Sequence, residues 1–138
     1  VGGVLPEQPV ERTGVDAVPP HPHASEMPPG VHEADLQEHC EAVARAYGWL
    51  VHHAADSRRA DPGLPDLIML SPVQPDGGVT LVMLELKTAK GKLTDEQEQW
   101  QLRLALVKRV VTGVLRPAGW RTYVALACDP SEAVERRA

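Results

Sequence analysis

Between residues 33 and 47 apolar positions recur with helical spacing. Leu36, Cys40, Val43, Ala44 and Tyr47 fall at i, i+4, i+7, i+8 and i+11, one face of a 3.6-residue repeat. Gly48 supplies a stop, and Trp49–His53 then reads as a short strand. Gly and Pro make 57–65 a loop, after which Pro65-Asp66-Leu-Ile-Met-Leu70 forms a second strand, with proline tolerated at its first position. Residues 72–78, PVQPDGG, carry the strongest hairpin signal in the chain. Val79–Lys87 is apolar on both faces until its end, which predicts a central strand covered on both sides. Thr94-Asp-Glu-Gln97 opens a helix that the pattern carries to about residue 111, with Gly113 as its stop. RPAGW is a turn, Arg121–Cys128 reads as a last strand, and Ser131–Arg137 as a short helix. The predicted order is α-β-β-β-α-β, a mixed central sheet flanked by helices, of α/β class. No internal repeat is visible.

The first 30 residues break this pattern. They hold seven of the thirteen prolines, no aromatic residue and no sustained period. Such a stretch buries too little apolar surface to offset its ordering entropy, so residues 1–30 are expected to be a disordered arm and 31–138 the domain. No apolar run approaches the ~20 residues of a membrane span, and no secretory signal stands at the N-terminus. The chain starts at Val rather than Met, which reads as a processed or excised piece. Cys40 and Cys128 are too few for a disulfide scaffold; two buried, reduced thiols in a cytoplasmic protein are expected.

A formal net charge of −5 argues at first against a nucleic-acid partner. The arm, however, carries four acids and one base, and within Ser57–Arg109 bases outnumber acids eight to seven. The acidity lies mostly away from the residues that could do chemistry.

Those residues stand at strand ends. If 66–70 and 79–87 pair as a hairpin, the register brings Asp66 to Glu85, and strand alternation points Glu85 and Lys87 the same way. Two carboxylates about 4 Å apart repel by roughly 4 kcal/mol at an effective dielectric of about 20. A divalent cation removes that cost, and hard oxygen ligands suit Mg²⁺, with Mn²⁺ able to substitute. Lys87 would then orient or deprotonate a water, or hold a phosphate, which suits metal-assisted phosphodiester hydrolysis. Alone, Glu-Leu-Lys is an ordinary solvated strand end and Asp66 an ordinary turn residue; it is their pairing across a hairpin that carries the reading.

GLPDLIML (63–70), the 72–78 turn and VMLELKTAKGKLTDEQEQW (82–100), with the leading helix, resemble the VRR-NUC branch of the PD-(D/E)xK nucleases, relatives of Holliday-junction resolvases, and among them the small phage-type proteins. The resemblance spans about residues 33–127. It implies a restriction-endonuclease-like core and a Mg²⁺-dependent DNA endonuclease, selective for branched or flapped DNA. Asp66 and Glu85 would bind the metal with the Leu86 carbonyl, and Lys87 would assist the water. It also implies an acid at the start of the first helix, for which Glu33 fits best and Glu38 is the alternative. Gln97 matches a glutamine of the family's second helix, though Thr94-x-x-Gln97 is equally a capping box, and both roles are compatible. Homodimers are common among resolvase-like enzymes, so a homodimer is expected by resemblance only; a phage-encoded protein would act in the host cytoplasm. At the C-terminal end the pattern departs, with Ala127-Cys-Asp-Pro130 where an aromatic-Arg-Pro is expected after the last strand.

The basic residues suit a phosphate track: Arg58 and Arg59 before the Pro-Asp strand, Lys90 and Lys92 around Gly91. They predict salt-sensitive, largely sequence-independent DNA binding. Two other functions compete, a catalytically silent DNA-binding or assembly module of the same fold and a sequence-specific restriction-type nuclease. Zinc is disfavoured, since neither His52-His53 nor His39-Cys40 has a second pair at ligand spacing.

Overall fold

A four-stranded sheet organises the computed structural model, which describes residues 26–53 and 61–131. In chain order the elements are α1 (Glu33–Ala46), β1 (Leu50–His53), β2 (Leu67–Leu70), β3 (Leu81–Leu86), α2 (Asp95–Leu104), β4 (Val110–Leu115), a 3₁₀ turn (Pro117–Gly119) and α3 (Trp120–Cys128). The strands lie side by side as β1-β2-β3-β4; β1–β2 and β2–β3 are antiparallel, β3–β4 parallel. A parallel neighbour requires a crossover, and α2 provides it. The fold is mixed α/β with helices on both sides of the sheet, as the pattern predicted.

Alternation along the strands sorts the side chains. Leu67, Met69, Val82, Leu84 and Leu86 share the inner face and are buried beneath α1 and α3. The two helices are tied together and to the sheet by polar contacts within this core. Tyr123 Oη donates to the Cys40 carbonyl at 2.6 Å, Trp49 Nε1 to the Ala127 carbonyl at 2.9 Å, and the Trp120 and Tyr123 rings stack at 5.4 Å. Met27 packs into the same cluster, ahead of the domain boundary expected at residue 31. On the outer face α2 buries none of its own residues, and Leu81 and Met83 of β3 are only half-buried.

Two expected elements are corrected. The second helix stops at Leu104 instead of running to about 111, and the last strand is Val110–Leu115, while Arg121–Cys128 is helical. Val110, Val111, Thr112 and Val114 are β-branched and favour a strand beside β3 over a helix. Arg109, with φ 69°, reverses the chain between them. In α3 the buried residues are Trp120, Tyr123 and Ala127, spaced i, i+3, i+7, so a helical stripe outweighs the strand propensity of Arg-Thr-Tyr-Val. Because β4 ends at Leu115, Arg116-Pro117 does follow the last strand, with Leu115 in the aromatic's place. Cys40 is buried, its thiol pKa pushed up by that burial, but Cys128 is exposed at the outer side of α3's last turn, against expectation. The arm over 1–25 and the short helix expected from 132 onward lie outside the described residues.

Candidate active site

The functional side chains come from four elements: Glu33 from α1, Asp66 from the start of β2, Glu85 and Lys87 from the end of β3, and Gln97 from α2. Leu67 pairs with Leu84, so one step further Asp66 lies across from Glu85. The Asp66 carboxylate Oδ2 accepts the Leu86 N–H at 3.0 Å. On the other side the Lys87 N–H donates to the Leu115 carbonyl at 3.0 Å. In a trans peptide the C=O points opposite to the following N–H. The Leu86 carbonyl therefore points away from β4, toward the Asp66 side.

Glu85 is the one buried charged side chain among the described residues, 1% exposed. It projects from the outer face, where Gln97 Nε2 donates to its Oε2 at 2.9 Å; its Oε1 has no partner. Burial foremost, then the Asp66 carboxylate beside it, pushes its pKa up to about 8; Glu33 adds to the rise and Lys87 opposes it. Glu33, the first residue of α1, has its own pKa raised by burial and by Asp66, again opposed by Lys87. Three acids and a lysine from α1, the start of β2 and the end of β3 thus share one electrostatic neighbourhood. Glu33 and Glu38 are both exposed on α1, and it is the electrostatic contact with Asp66 and Lys87 that ties Glu33 to this cluster.

Gln97 closes the expected capping box and also reaches Glu85. Its Oε1 accepts the Thr94 N–H at 2.9 Å and its backbone N–H donates to Thr94 Oγ1 at 3.1 Å, closing a capping box. This fixes the amide so that its Nε2 is free to hold Glu85. The Gly-x-Pro-Asp stretch is explained by packing. Gly63 has φ +86°, and a Cβ there would lie 2.5 Å from the Glu96 backbone and 2.7 Å from Trp100 Cδ1. Only glycine lets the loop before Asp66 dock against α2, where Trp100 Nε1 donates to the Pro62 carbonyl at 3.2 Å.

Arg116 is a residue the sequence reading missed. Its Nη1 donates to the carbonyls of Thr88 and Gly91, at 2.8 and 2.7 Å, clamping the turn that leaves Lys87. The placement of the last strand's start eleven residues too late hid it; Leu-Arg-Pro at a strand end was the available signal. Lys90 and Lys92 are exposed in and just after this clamped turn, while Arg58 and Arg59 lie outside the described residues. Among the described residues no three His, Cys, Asp or Glu side chains converge as an all-side-chain metal site. That leaves a donor set of two carboxylates and a carbonyl, the kind a hard divalent cation accepts when water and phosphate complete its shell.

An α/β core with an acid pair and a lysine at a hairpin's open end is the construction of a nuclease-type site. The VRR-NUC domain family matches residues 18–111, more than half of the chain, and the chain belongs to this nuclease family. A solved structure titled "VRR_NUC domain" is 22% identical, covers 68% of this chain and 91% of its own, and superposes with a TM-score of 0.48; membership rests on the family match and not on that likeness. No curated relative matches. No helix among the described residues is long and apolar enough to cross a membrane.

Proposed function

We propose that the chain is a Mg²⁺-dependent DNA endonuclease, with Mn²⁺ able to substitute, that hydrolyses phosphodiester bonds and prefers branched or flapped DNA. The observation that carries the reading is Glu85: a buried carboxylate with one oxygen unpartnered, set beside Asp66, Glu33 and Lys87. A buried acid crowded by other acids is costly unless a cation neutralises it. Asp66, Glu85 and the Leu86 carbonyl would hold the ion, which when bound supplies an activated water and neutralises phosphate charge. Gln97 holds Glu85 in place, and Lys87 orients the attacking water at the phosphorus as the bond to the leaving oxygen breaks. Glu33 steers the remaining solvent and Arg116 fixes the turn from which Lys90 and Lys92 reach the phosphates. A homodimer is part of the reading, tested by molar mass in solution.

Branched, flapped and linear DNA are incubated with the protein in Mg²⁺ or Mn²⁺, beside Asp66→Ala and Lys87→Ala. Cleavage by the wild type, strongest on branched or flapped DNA and lost in both variants, is expected. Cleavage surviving either substitution sinks the site assignment. DNA binding with no cleavage of any substrate instead supports a silent binding module.

A further inference from the structure

The far end of α2 carries a feature that the site does not use. Leu102, Leu106 and Val107 are 62, 83 and 50% exposed, the first two one helical turn apart. Around them stand Arg103, Lys108 and Arg109, all exposed and without a carboxylate partner among the described residues. The charge around this tip is lopsided: residues 99–128 contain five bases and not one acid, in a chain of net charge −5. The tip is also held firmly. Beyond the helix end, Leu106 and Val107 close tight turns, their N–H groups donating to the Arg103 and Leu104 carbonyls, and Val110 enters the sheet opposite Leu81.

From these observations we infer that the end of α2 is a second DNA contact, in which Arg103, Lys108 and Arg109 grip backbone phosphates and Leu106 covers an exposed base-pair face at a branch. Three unpaired cations fit a polyanion. A second copy of the chain fits worse, because a two-fold contact through this tip would bring two sets of three cations together. An apolar side chain inserted into intact duplex must unstack it, whereas a branch or flap presents an unstacked face already. The geometry links the tip to the cut. Gln97 lies at the level of Glu85, and Gln101, bonded to Thr112 opposite Met83, two residues back, so α2 runs down the outer face from the site to the tip. Nine residue steps from Gln97 along α2 and its closing turn to Leu106 span about 14 Å at the helical rise, and four strand steps from Glu85 to Leu81 about 13 Å. Either length is about four nucleotides along one strand at ~3.4 Å each. Only this spacing from the cut rests on the nuclease reading; the DNA contact itself does not.

The test is fluorescence anisotropy with labelled duplex and branched DNA over a salt series, Ca²⁺ replacing Mg²⁺ to keep the DNA intact. The triple variant Arg103→Gln/Lys108→Gln/Arg109→Asn, with Asn suited to the left-handed backbone at 109, should bind both DNAs at least about tenfold more weakly, its log–log salt slope shallower by roughly 2 to 3. Leu106→Ser should leave duplex binding unchanged and lose most of the preference for branched DNA. Unchanged affinity and slope in the triple variant would overturn the inference, while weakening by Lys90→Gln/Lys92→Gln in the same assay would leave the nuclease reading standing. No DNA binding by the wild type would overturn both. A molar mass that falls from two chains to one in Leu106→Ser would make the tip a protein interface and also overturn it.

Discussion

On the inner face of the sheet Leu36, Cys40, Leu67, Met69, Val82 and Leu86 are fully enclosed by α1 and α3, and the polar groups of Trp49 and Tyr123 there donate to backbone carbonyls. The outer face of the same strands is arranged differently. Its helix buries nothing of its own, its apolar residues are half covered, and its end holds a buried acid with an oxygen left over. One residue's alternation along β3 separates the two environments: Leu84 and Leu86 point into the core, Glu85 between them points out. Stability is concentrated on one side of the strand and unfavourable electrostatics on the other. A protein tolerates the second because the first supports it.

Substitutions can separate the two faces. Lys87→Ala should lower cleavage by roughly 10³-fold while leaving the thermal midpoint nearly unchanged, measured by initial rates and by melting; a large loss of stability would mean that the faces are not independent. Leu36→Ala, within the core, should cost about 2–5 kcal/mol of stability, read by urea unfolding, with the rate per folded molecule preserved.

Gln97 sits between the two behaviours. Thr94→Ala removes the cap alone and should cost about 1 kcal/mol. Gln97→Ala removes the cap and the support of Glu85, and should add a roughly 10- to 100-fold loss of metal affinity or rate. Equal effects of the two variants would reduce Gln97 to a cap.

The smallest effect concerns pH in the metal-free protein. Glu85 titrates near 8 when folded, against an ordinary 4.5, so between those values the unfolded chain binds fewer protons than the folded one. Stability should therefore be greatest below about pH 4.5 as far as this group is concerned, and fall as pH rises to about 8. Melting in EDTA should show that fall, flattened in Glu85→Gln; an identical profile in the variant would contradict the crowding inferred at this carboxylate.

Much of this was legible in the chain, and for identifiable reasons. The hairpin signal at 72–78 fixed the β2–β3 register, and with it the meeting of Asp66 and Glu85, because a one-residue slip would turn every buried side chain outward. The Thr94–Gln97 box was visible because capping is local. Beyond residue 104 local cues misled: Ala105–Val111 has helix-like apolar spacing, yet the open edge of β3 and the reversal at Arg109 make it the approach to a strand. The clamp by Arg116 and the close approach of Gly63 to α2 depend on contacts 25 to 37 residues apart in sequence, which no local pattern encodes. The exposed tip at Leu106 was read as the middle of a helix for the same reason.

The central claim is that Asp66 and Glu85 together bind a divalent cation, and it can be measured without DNA. Mn²⁺ binding by calorimetry, with the wild type beside Asp66→Asn and Glu85→Gln, should show an ion bound to the wild type and binding lost or severely weakened in each variant. Absence of binding to the wild type, or binding undiminished by either substitution, would contradict it.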